Sequence, residues 1–153
     1  MKNLDLINIK ILSNIQKGDK ISIFNDKIYI DKNTWKIRGI YRFIFKQNRK
    51  NTILSLKNII ENSLDYGNSL INIIEKKNKN SFDGEIDIDI IHNINQLYIS
   101  LKDSLKGLVN LKYTYASDKF IENILNELEL EINNYIINSN NIISKYLSEE
   151  YIL

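Results

Sequence analysis

Apolar positions at the start of the chain recur three and four residues apart. Leu4, Ile7, Ile11, Leu12 and Ile15 share one side at helical pitch, and Gly18 follows as a stop. A first amphipathic helix over residues 3–16 is expected. The period then changes to two, with Ile21, Ile23, Ile28 and Ile30 alternating about the dipeptide Asn25-Asp26. Both residues of that dipeptide tolerate positive φ, so the segment predicts a short β-hairpin. Two strands are marginal alone and need a third strand or a helix over their isoleucine face.

Helical spacing returns at Thr34 with Ile37, Ile40, Tyr41, Ile44 and Phe45. A longer helix is expected from an N-cap at Asn51 or Thr52 through Ile53, Leu56, Ile60, Leu64, Leu70 and Ile74, with Gly67 as its weak point. Residues 76–84 are polar, contain Asn, Ser, Asp and Gly, and predict the main loop. Residues 85–91 fit two patterns. Ile86, Ile88 and Ile90 alternate as in a strand, whereas Ile90, Ile94, Leu97, Leu101, Leu105 and Leu108 continue as a helix. Helix is preferred, and it puts Asp83, Glu85, Asp87 and Asp89 at an N-terminus whose dipole stabilises them.

After Gly107 a short helical stretch is expected to lead to Tyr113–Tyr115, and Ser117 or Asp118 to cap a final helix. That helix carries Ile121, Leu125, Leu128, Ile132, Tyr135, Ile142 and Tyr146, interrupted at Ser139. Such a stripe serves packing within a bundle or, alternatively, a homodimer through the C-terminal helix. The pattern as a whole predicts a mainly α fold: one single-domain helical bundle of four to six helices over residues 1–153, more than about half helical, with a small N-terminal β-hairpin.

A chain of 153 residues, 43% hydrophobic, can bury a real core. It has no cysteine, which excludes disulfides, thiolate metal sites and thiol nucleophiles. His92 is its only histidine, which excludes His metal clusters and Ser-His-Asp arrangements. The run DGEIDID at 83–89 spaces oxygens as a calcium loop does but lacks the required glycine position and distal glutamate. The five glycines form no phosphate loop. No metal, cofactor or catalytic residue is therefore expected, and the chain reads as a non-enzyme; a small enzyme built on carboxylates ranks third. The N-terminal MKNLDLINIK mixes charge into its apolar positions, no N-x-[ST] sequon occurs, and no run approaches the roughly 18 apolar residues of a membrane span. An intracellular protein without a transmembrane segment is expected.

The net charge of +2 conceals two opposed halves. Residues 1–80 hold sixteen Lys/Arg against seven Asp/Glu, and residues 81–153 hold five against twelve, with the 76–84 loop between the basic and acidic halves. From Lys32 to Ile60 there is no acid. Either the halves pack with their charges near each other, or the molecule presents a basic and an acidic face.

All three arginines, Arg38, Arg42 and Arg49, fall in that acid-free window beside the only tryptophan, Trp35. Elsewhere positive charge is lysine. Arginine differs in presenting a planar, permanently charged fork that holds carboxylates and phosphates or stacks on rings. At about 100° per residue, Arg38, Arg42, Lys46 and Arg49 lie opposite Ile37, Ile40, Tyr41 and Ile44, bordered by Trp35, Gly39 and Phe43. Trp35, Arg38, Arg42, Lys46 and Arg49 are thus the candidate binding residues, Trp35 as a stacking group. The partner would be an acidic protein surface, with nucleic acid as the alternative and anionic lipid or the chain's own acidic half as further options.

WKIRGIYRFIFKQNRKNTI at 35–53 and SLKGLVNLKYTYASD at 104–118 resemble segments of small uncharacterised proteins of large, A/T-rich DNA viruses. In those proteins a Trp-Gly-Arg helix precedes an Arg–Thr step and a later Leu-rich Tyr-Asp segment. The resemblance covers about a third of the chain. It implies a viral origin and action in host cytoplasm or the virion, and it brings no catalytic residue. The sequence therefore predicts a non-enzymatic interaction or structural protein, viral in character, binding an acidic partner through a basic helix face. The alternative is a nucleic-acid-binding accessory protein using the same face.

Overall fold

The computed structural model describes residues 6–32, 48–80 and 88–152, and of residues 77–80 and 148–152 the backbone alone. In chain order the elements are α1 (Leu6–Leu12), β1 (Lys20–Phe24), β2 (Lys27–Asp31), α2 (Arg49–Asn80), α3 (Ile88–Thr114) and α4 (Lys119–Ile152). The helices hold well over half of the chain. The fold is mainly α with a small antiparallel β-hairpin near its N-terminus, as the spacing of apolar residues predicts.

The hairpin forms at the expected dipeptide. Asn25 and Asp26 adopt φ of 50° and 59°, the left-handed pair that matches the twist of a two-residue hairpin. Register pairs Ile21 with Ile30 and Ile23 with Ile28, so four isoleucines share one face. Two helices cover them, α1 over β2 and α2 over β1. Asn8 of α1 is buried and grips the turn: its Nδ2 donates to the Asp26 carbonyl (2.6 Å) and its Oδ1 accepts from the Ile28 amide (3.1 Å).

α1 ends at Leu12, short of the residue 16 expected from periodicity. Residues 13–15 instead donate to carbonyls three residues back, at 3.0–3.2 Å. The cause is α3, whose Gly107 lies against the Leu12 carbonyl so closely that a β-carbon there would overlap it. Asn110 Nδ2 donates to the Ile15 carbonyl (2.8 Å) and the Gly18 amide donates to Thr114 Oγ1 (2.9 Å). Gly18 then reverses the chain at φ 93°. Asp19 Oδ2 accepts from the Gln16 amide (2.9 Å) and pairs with Lys32 Nζ (3.1 Å).

Four boundaries differ from the sequence expectation. α2 is capped by Asn48, whose Oδ1 accepts from the Lys50 amide (2.9 Å), not by Asn51 or Thr52. Thr52 is buried inside the helix, donating its hydroxyl to the Asn48 carbonyl (3.1 Å). Residues 76–80, expected as loop, continue α2. Gly107 starts no new segment, because α3 is continuous to Thr114. Ser139 does not interrupt α4: it is buried and donates its hydroxyl to the Tyr135 carbonyl (2.6 Å), so its polar group is satisfied within the helix. Of the two expected caps, Ser117 and Asp118, it is Asp118 that caps α4, accepting from the amides of Phe120 (3.1 Å) and Ile121 (3.3 Å). Residues 88–91 are helical; residues 85–87 of the ambiguous segment lie outside those described.

α2 and α4 run parallel and pack directly on each other, and α3 runs antiparallel to both. Lys50 lies over Phe120, and Lys57 pairs with Glu127 two turns on. One apolar cluster draws on all six elements, including Ile9, Ile21, Ile28, Leu56, Leu97, Leu128 and Ile132. Midway along the helices, Gly67 of α2 leaves room for Tyr135 of α4: a β-carbon there would come within 2.5 Å of the Tyr135 ring and of Leu97. Tyr135 is fixed in turn by its hydroxyl, which donates to the Ile94 carbonyl (3.1 Å).

Two predictions test this packing. Leu128→Asp combined with Ile132→Asp should abolish cooperative unfolding, since both side chains are 0% exposed and two unpaired buried charges cost several kcal/mol against a total stability of about 5–15 kcal/mol. Gly107→Ala should lower the melting temperature by about 3–8 °C, from about 1–3 kcal/mol of overpacking. A neutral Gly107→Ala would show that α1 does not seat on α3. Circular dichroism melts read both.

Candidate functional site

Of the five candidate binding residues, Trp35, Arg38, Arg42 and Lys46 lie outside the described residues. Arg49 lies within them. It is the exposed first residue of α2, directly after the Asn48 cap.

Side chains that the sequence analysis did not single out gather around Arg49. Lys50 Nζ sits 5.2 Å from the centre of the half-exposed Phe120 ring, which joins the N-terminal ends of α2 and α4. Exposed Lys119 precedes that ring. On the neighbouring hairpin side, Lys17 Nζ lies 5.2 Å from the centre of the Tyr113 ring, which is 63% exposed. The first turn of α2 contains no acid. Cations at a helix N-terminus oppose the dipole, by about 0.3–1 kcal/mol each when exposed, so the start of α2 is electrostatically unsatisfied, whereas α4 begins with the Asp118 cap and Glu122 in its first turn. Lys50 was legible only as a neighbour of Arg49. Phe120 and Tyr113 carry no local signal, because they arrive through the packing of α2, α3 and α4.

Beneath this surface Tyr115 joins the hairpin to the bundle. Burial pushes its hydroxyl above the ordinary tyrosine range. A backbone hydrogen bond with Ile21 pulls down, nearby Asp31 pushes up, and the Arg49 charge pulls down. The Asp31 carboxyl is itself raised by burial, against the Ser22 hydroxyl (3.3 Å) and the Lys20 charge.

The opposed charges of the two halves meet on the flank between α2 and α4. Lys57 Nζ lies 3.9 Å from Glu127, while Lys32–Asp19 (3.1 Å) and Lys112–Glu129 (2.9 Å) each stay within one half. Around Glu131 stand Lys57, Glu61, Asp65 and Glu127. Partial burial raises the Glu131 carboxyl; Glu61 raises it further, Lys57 lowers it, and Glu127 and Asp65 raise it again. Among the described residues no group of three or more His, Cys, Asp or Glu is arranged to hold a metal ion. His92 is half-buried on α3.

No protein-family model matches the chain, and neither the curated proteins nor the solved structures yield a match. No helix among the described residues is long and apolar enough to cross a membrane.

The carboxylate cluster gives a pH prediction. Glu131 has a raised folded-state pKa, so its charged form opposes folding. That penalty is fully present above the folded pKa and vanishes below the unfolded value near 4.5. Glu131→Gln should therefore raise the melting temperature at pH 7 by about 1–3 °C, and the gain should disappear as pH falls towards 4. An equal gain at both pH values would assign the effect to packing instead of charge.

Proposed function

We propose that this protein is a non-enzymatic interaction or structural protein that binds an acidic protein surface at the basic end where α2 and α4 begin. The observation that carries this is Arg49: an exposed, permanently charged fork at a helix N-terminus, with Lys50 and Lys119 beside it and no acid in the first turn of α2. A carboxylate-rich partner would relieve the repulsion between Arg49, Lys50 and the α2 dipole, and the Arg fork adds bidentate hydrogen bonding. Trp35, Arg38, Arg42 and Lys46 extend the surface on the strength of the sequence pattern alone. That the protein is viral and acts in host cytoplasm or the virion rests on the resemblance of 35–53 and 104–118.

A second reading, a nucleic-acid-binding accessory protein using the same end, is favoured by the two exposed rings beside cations, Phe120 with Lys50 and Tyr113 with Lys17. Rings of this kind stack on bases irrespective of sequence.

The triple variant Arg49→Glu, Lys50→Glu, Lys119→Glu reverses six charge units at exposed positions. It should move the melting temperature by no more than about 3 °C and abolish binding. Titrations against poly-glutamate and single-stranded DNA at several salt concentrations separate the readings. Phosphate neutralisation gives a steep logarithmic loss of affinity with salt and binding that scales with strand length. Failure of both polymers to bind would refute an anionic partner at this end.

A further inference from the structure

We draw no further inference here: the strongest candidate, the surface patch on the outer side of α3 where exposed Ile99, Val109 and Tyr113 stand among Lys102, Asp103 and Lys106, is an unpartnered face, and nothing in the structure shows what covers it.

Discussion

The seating of the end of α1 on α3 joins the two parts of this fold. α1 spans 7 residues, too few to be stable alone in water, and the turn that follows it leaves the Ile15 carbonyl without a helical partner. α3 removes both problems. Gly107 lets the α1 backbone come close, Asn110 supplies a donor to the Ile15 carbonyl, and Thr114 accepts from Gly18. α1 in turn holds the hairpin through Asn8. Without this contact the hairpin would lose the surface that covers Ile28, and a two-stranded ribbon does not persist alone.

A similar economy of space governs the three long helices. Gly67 admits the Tyr135 ring, and that ring's hydroxyl is paired to the Ile94 carbonyl, so a bulky polar side chain sits in the middle of the bundle without an unsatisfied atom. The buried serines follow the same rule. Ser104 donates to the Leu101 carbonyl (2.7 Å) and Ser139 to the Tyr135 carbonyl (2.6 Å), so small polar residues allow close helix packing while their hydroxyls return to their own backbone.

Electrostatics divide the surface. Around Glu131 three carboxylates, Glu61, Asp65 and Glu127, stand against the one cation Lys57, and partial burial together with these charges raises the Glu131 carboxyl. Where α2 and α4 begin, cations and exposed rings predominate. The outer face of α4 is nearly neutral. Among the described residues the opposed charges of the two halves therefore meet at Lys57–Glu127, and the cations around Arg49 are the feature on which the proposed partner depends.

Among the described residues, the sequence by itself determined the element types and the hairpin turn. Periods of 3.6 and 2 are local properties of the backbone, and Asn25-Asp26 needs only its own φ preference. Asp118 was legible as a cap for the same reason. The sequence also marked Arg49, through the clustering of arginine in an acid-free window, but not its neighbours. Tertiary structure alone decided the rest. Asn48 displaced Asn51 and Thr52 as a cap because Thr52 is needed inside the core. Gly67 and Gly107 proved to be contact points, not breaks, since what faces a glycine depends on a residue far along the chain. Phe120 and Tyr113 reached the basic end for the same reason. Periodicity states which side of a helix is apolar; it cannot state which helix that side will meet.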